Sequence, residues 1–172
     1  ILPADDYPIE DPAQAWNALT VGGYTDKIHI QEDDLDGWTP FSEAGDLSPF
    51  TRTSVTWPQS KAPYKPEIVM EAGNRAVSPN GQDVLTVDSL GLLSTSADTD
   101  RQPLRPFEAT SAAAAQAARL ATRLSAAYPD YWPETSRALM VHSAEWTDVM
   151  RASFAERIGR RESYSLLRRF GY

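Results

Sequence analysis

Cysteine is absent from the chain. That excludes a disulfide framework and thiolate chemistry of any kind, and it suits a cytoplasmic protein. No apolar run approaches the roughly 18 residues that a membrane-spanning helix needs. No secretory signal is visible, and no internal repeat or low-complexity tract stands out beyond one alanine run. Histidine is scarce, with only His29 and His142. Basic residues are in deficit: 16 Lys and Arg stand against 24 Asp and Glu, giving a net charge of −8. A surface of that sign disfavours broad nucleic-acid binding and docking on anionic membranes.

What is present is the composition of a soluble globular protein. The 172 residues are 41% hydrophobic and 23% charged, long enough for one domain with a real core. The charge is uneven. Acids crowd the first quarter, from Asp5 to Asp36, and arginines crowd the end, from Arg151 to Arg169. The two ends attract each other, face partners of opposite charge, or are plain solvated surface.

Residues 1–15 are rich in proline and acid and read as a loop. Residues 17–25 read as a buried strand, residues 27–30 as a short second one, and residues 67–70 as a third. Residues 83–87 and 90–94 read as a hairpin-like pair. Together, residues 17–25, 67–70 and 83–94 are expected in one sheet. Residues 31–66, rich in Asp, Ser, Thr, Pro and Gly, read as surface loops. Helices are predicted over residues 111–127 and 133–145 and from about residue 148 to 170. In the first, Ala114, Ala117, Ala118, Ala121 and Leu124 recur at helical spacing and are expected to lie against the sheet. Pro129 ends it, and Pro133 and Glu134 open the next.

The richest stretch is Phe107 to Trp146. Thr110-Ser111 opens the alanine-rich helix, a Tyr-Pro-Asp turn follows, and a second helix starts at Trp132-Pro133-Glu134. Unpaired N–H groups and the positive end of the helix dipole sit at such a start, and they favour a nucleophile that becomes an anion. A serine there is equally an ordinary helix cap.

This stretch resembles the nucleophile region of subtilisin-like serine peptidases, the subtilases, whose pattern is Gly-Thr-Ser-x-Ala, a long small-residue helix, a Pro-containing turn and a second helix. Lys65-Pro66-Glu67-Ile68-Val69 with Glu71-Ala72-Gly73 resembles the family's Lys-Pro-Asp-Val strand and the Ala-Pro-Gly turn after it. Leu19 to Thr25 resembles the strand written Val-x-Val-Gly-Ala, and Phe41-Ser42 with Asp46-Leu47-Ser48-Pro49 supplies the region after it. The resemblance covers nearly the whole chain. It implies an α/β fold, the C-terminal portion of a three-layer domain with a mainly parallel sheet and packed helices, and Ser111 as catalytic nucleophile. Two departures stand out. Ala109 replaces the family's Gly, and the Pro that often follows is missing. An alanine fits only where the backbone avoids a glycine-only conformation.

The family's triad runs Asp, His, Ser in chain order. Neither an Asp-x-Gly turn nor a His-Gly-Thr helix start occurs here. His29 and His142 read as structural. Asn74 follows Gly73 but comes after the Lys-Pro strand, out of order for the oxyanion Asn. The resemblance therefore implies that residues 1–172 are the C-terminal portion of one peptidase domain. It would be inactive alone, with its N-terminal half as partner and a polypeptide as substrate. Ser94, Thr95 and Ser96 are expected to edge the site. Subtilases of this kind are often linked to an AAA-class ATPase, which the resemblance adds as a partner. No cofactor is implied, and Asp33, Asp34 and Asp36 lack EF-hand spacing for calcium. The alternative is a non-catalytic subtilase-like module that holds a partner protein.

Overall fold

The computed structural model describes residues 6–58, 62–155 and 166–172. Its strands are β1 (Val21–Thr25), β2 (Thr39–Pro40), β3 (Asp46–Leu47), β4 (Ile68–Glu71), β5 (Ala76–Val77), β6 (Val84–Leu85), β7 (Leu92–Thr95) and β8 (Leu104–Phe107). Its helices are α1 (Thr110–Ala127), α2 (Pro133–His142) and α3 (Asp148–Ala155), and residues 166–170 are helical as well. No helix among the described residues is long and apolar enough to cross a membrane.

The central sheet has the order β3-β1-β4. β1 and β4 are parallel, with Val21 opposite Ile68 and Tyr24 opposite Glu71, and β3 joins antiparallel. Strand partners point to the same face, so this register sorts the side chains into two layers. Val21, Ile68 and Met70 meet Ala117, Leu120, Leu124 and Met140 of α1 and α2. Tyr24 and Val69 point the other way, onto Leu47, Met150, Leu166 and Phe170. Helices thus cover both faces of a sheet with parallel pairing, the α/β class that the sequence implied.

Residues 83–94 depart from expectation. They do not pair with each other and do not join the central sheet. β6 pairs with β5 in a small sheet of order β2-β5-β6, and β7 pairs with β8. Between them Asp88–Leu90 forms a 3-10 turn with Leu90 fully buried. Glu32 holds that turn from 57 residues away. Its Oε1 accepts the Ser89 N–H at 2.9 Å and its Oε2 accepts the Ser89 hydroxyl at 2.6 Å. Partial burial raises the Glu32 pKa, but these bonds outweigh it and the net shift is downward. Residues 27–30 form no strand either. The Lys27 carbonyl is taken by the Asn74 side chain at 2.8 Å.

Residues 31–66 are not merely surface. Ser42, Ser48, Thr51, Thr53, Ser54 and Lys65 are all buried. Short hydroxyl side chains carry their own bonding groups, so a polar segment can cross the interior when each group finds a partner. Ser48 Oγ donates to Gly73 O at 2.7 Å, and Thr51 Oγ1 accepts the Gly23 N–H at 2.9 Å. Gly23 itself has no alternative, because a Cβ there would lie 2.5 Å from the Ala72 Cβ.

The buried face of α1 also differs from the expected one. Ala112, Ala113 and Ala117 are buried, whereas Ala114 and Ala118 are exposed. The packed row is Ala113, Ala117, Leu120, Ala121 and Leu124. An alanine run matches several phases of the helical period, so spacing alone did not select one. The predicted helix from residue 148 to 170 is seen as α3 and as residues 166–170, and residues 156–165 lie outside the described residues. One pair of variants checks the phase. Ala117→Leu overpacks the sheet contact and is expected to destabilise by about 1–3 kcal/mol. Ala118→Leu should stay within about 0.5 kcal/mol of the parent. Chemical denaturation of both measures the difference.

Candidate functional site

Ser111 is the second residue of α1 and is exposed. The turn before it is tied to the end of β4, since the Ala109 N–H donates to Ala72 O at 2.8 Å. Ser111 therefore lies beyond the C-terminal end of the parallel pair, the end where open α/β sheets place their ligands. The second turn of α1 is tied to the same strand. Gln116 Nε2 donates to Glu71 O at 2.7 Å and to Ala112 O at 3.1 Å. Glu71 Oε1 accepts the Gly73 N–H at 2.8 Å and shapes the turn below.

Ala109 has φ 73° and ψ 177°, and it is the one non-glycine residue of positive φ among the described residues. That region is essentially reserved for glycine. The expectation that the backbone here avoids such a conformation is overturned. The alanine occupies the strained region because its surroundings leave it no other course. Its N–H is held by Ala72 O, and its carbonyl accepts the Ala112 N–H at 2.9 Å. Gly73 has φ 79°, and a Cβ there would lie 2.9 Å from Leu90 O and 3.1 Å from the Glu108 Cβ. The 3-10 turn, the β4 turn and the Ser111 turn are thus stacked with no space between them.

The other sequence candidates fall elsewhere. Asn74 is buried, and its amide is fully used. It donates to Lys27 O and Ser42 O, both at 2.8 Å, and accepts from the N–H groups of Ser42 and Arg75. It has no donor left for a substrate oxygen. His29 is exposed in the irregular segment after β1. His142 ends α2 and lines a cleft with Glu67, at the opposite end of the sheet from Ser111. Among the described residues no side chain hydrogen-bonds Ser111, so neither histidine does. The hairpin register puts Leu92 opposite Phe107, next to the Ser111 turn. Ser94, Thr95 and Ser96 run away from that turn instead of edging it. Among the described residues no three acids or histidines converge on a metal position.

Sequence reasoning missed one cluster. Lys65 and Glu67, noted for their resemblance to a strand motif, form a buried ion pair with Arg137. The Lys-Pro-Glu spelling was its only local signal, because Arg137 is 70 residues away.

A family model described as the Subtilase family matches residues 3–172. No curated protein and no solved structure matches the chain. The strain at Ala109 makes a direct prediction. Ala109→Gly should stabilise the fold by about 1–3 kcal/mol, because glycine adopts this backbone without steric strain and its larger loss of chain entropy offsets only part of that gain. Denaturant unfolding measures it, and an unchanged midpoint would mean that the alanine is unstrained.

Proposed function

The chain belongs to the subtilase family, and from that premise we propose that it is the nucleophile-bearing, C-terminal part of a serine endopeptidase domain. Ser111 Oγ attacks the scissile carbonyl carbon and passes its proton to a histidine base. The tetrahedral intermediate collapses, the C–N bond breaks, and the amine leaves with that proton. Water then hydrolyses the acyl-enzyme and frees Ser111. The helix N-terminus carries part of the oxyanion's charge through its N–H groups. What supports this most is the position of Ser111: exposed, at the start of α1, on a turn locked to the C-terminal end of β4.

The base and its orienting carboxylate come, in this reading, from sequence upstream of Ile1, in Asp-x-Gly and His-Gly-Thr motifs, with the oxyanion Asn in a Gly-Asn turn. Without a base, a serine hydroxyl stays protonated at neutral pH and attacks poorly. Loss of one oxyanion donor alone costs about 10²–10³ in kcat. The 172-residue chain is therefore inactive in isolation. A second reading, a non-catalytic module that holds a partner protein, draws on Ala109 in place of the family's Gly and on the lack of the acid and base motifs in these 172 residues.

Hydrolysis of a fluorogenic peptide library separates the two. The full-length protein is expected to cleave and Ser111→Ala to lower kcat by roughly a millionfold, while residues 1–172 alone show no turnover. Cleavage that survives Ser111→Ala rejects this nucleophile. A full-length protein that never cleaves favours the binding module.

A further inference from the structure

At the far end of the sheet from Ser111, a cleft of about 960 Å³ opens between α2, residues 62–64 and Tyr172. That volume matches sites that enclose a small organic molecule or a peptide end. Its walls are largely apolar: Trp16, Tyr64 and Tyr172 on one side, Ala138 and Val141 on the other. Trp16 is 70% exposed.

The floor of the cleft carries an imbalance of charge. Lys65, fully buried, donates to Glu67 Oε1 at 2.5 Å and to Ala18 O at 2.8 Å. Arg137 Nη2 donates to the same Oε1 at 2.9 Å and to Trp16 O at 3.2 Å. Two cations thus share one carboxylate. Behind Tyr64 lies a third cation, Arg168, 1% exposed and stacked 5.1 Å from that ring. Among the described residues it bonds to the carbonyls of Ser54, Ala62 and Pro63, and its Nε has no partner there. Among the described residues, Lys65, Arg137 and Arg168 thus stand against one buried carboxylate, Glu67, in a molecule whose net charge is −8. Glu134 and His142 stand on the exposed rim, where water and salt screen them.

Arg137 also keeps donors in reserve. Both of its hydrogen bonds leave from Nη2, so Nη1 and Nε are unbonded among the described residues, and its side chain is 33% exposed. Nη1 and Nε lie on different edges of the guanidinium, so each offers an incoming carboxylate one charge-assisted hydrogen bond at the wall of an apolar cleft. Buried positive charge in excess of its carboxylates gains from an incoming anion.

We propose that this cleft binds an organic carboxylate with an apolar body, its head on Arg137 and its body between Trp16, Tyr64 and the α2 face. The carboxylate belongs either to a free small acid or to the C-terminus of a peptide. The proposal does not depend on the peptidase reading.

The test is calorimetric titration of the full-length protein in a Ser111→Ala background, so that no peptide is consumed. The probes are 4-phenylbutyrate, its amide, acetyl-Ala-Phe with a free C-terminus, and the amide of that peptide. One saturable site is expected, with an acid binding at least about tenfold tighter than its amide. Binding of phenylbutyrate alone identifies a small acid as the source, and binding of the peptide alone identifies a C-terminus. Arg137→Gln should bring acid and amide to equal affinity, and Arg137→Lys should restore part of the preference. Ala138→Trp should abolish binding by filling the cleft, and Val141→Phe replaces it should that variant not fold. Equal affinity of acid and amide for the parent, binding untouched by the cleft-filling variant, or no binding of any probe would overturn the proposal.

Discussion

Glu67 stands at the head of β4 with its carboxylate almost wholly buried, and it gathers the chain around itself. Oε1 takes Lys65 and Arg137, and Oε2 takes the N–H of Thr20 at 2.7 Å, just before β1. Its backbone works too. The Glu67 N–H donates to Thr20 O, and its carbonyl accepts the Tyr172 N–H, each at 3.0 Å. Gly171 lies against it so closely that a Cβ there would sit 2.4 Å from Glu67 O. One residue thus joins β1, β4, α2, residues 16–20 and the final residues. A buried ion pair is weak evidence of net stability against an apolar replacement, but removing one partner leaves an unpaired buried charge and costs about 3–5 kcal/mol. The cluster specifies one register of β4 against β1.

That register carries through to the site at the other end. Fixing Ile68 opposite Val21 fixes Glu71 opposite Tyr24. The Ala72-Gly73 turn then falls where Ala72 O can hold the Ala109 N–H. Tyr24 responds to the same crowding, because burial first and the nearby Asp26 and Glu71 next push its hydroxyl pKa upward. The strained Ala109 is tied to the β4 turn by its bond to Ala72 O. The strained turn is in this sense the output of a constraint set at Glu67.

Much of this was legible in the sequence, and the rest was hidden for identifiable reasons. β1 and β4 were found because short runs of apolar and small residues bounded by turn residues mark buried parallel strands. The start of α1 at Thr110 and that of α2 at Pro133 followed from helix-start chemistry. The pairing of residues 83–94 was not legible, since a carboxylate at Glu32 directs it from outside any local window. The interior course of residues 42–54 was hidden by their polarity, which reads as loop until each hydroxyl's partner is known. At the candidate site, the place of Ser111 at the start of α1 was legible. The backbone of Ala109 was not, because a residue name does not report φ.

The central claim is that Ser111 is a nucleophile held in place by the β4 turn. The most direct measurement is mass-spectrometric mapping after treatment of the full-length protein with a fluorophosphonate. A single phosphonyl adduct on the peptide that contains Ser111, lost when the protein is unfolded before treatment, is the result this account predicts. An adduct on another serine, or a Ser111 peptide that stays unmodified while the protein cleaves peptides, would contradict it.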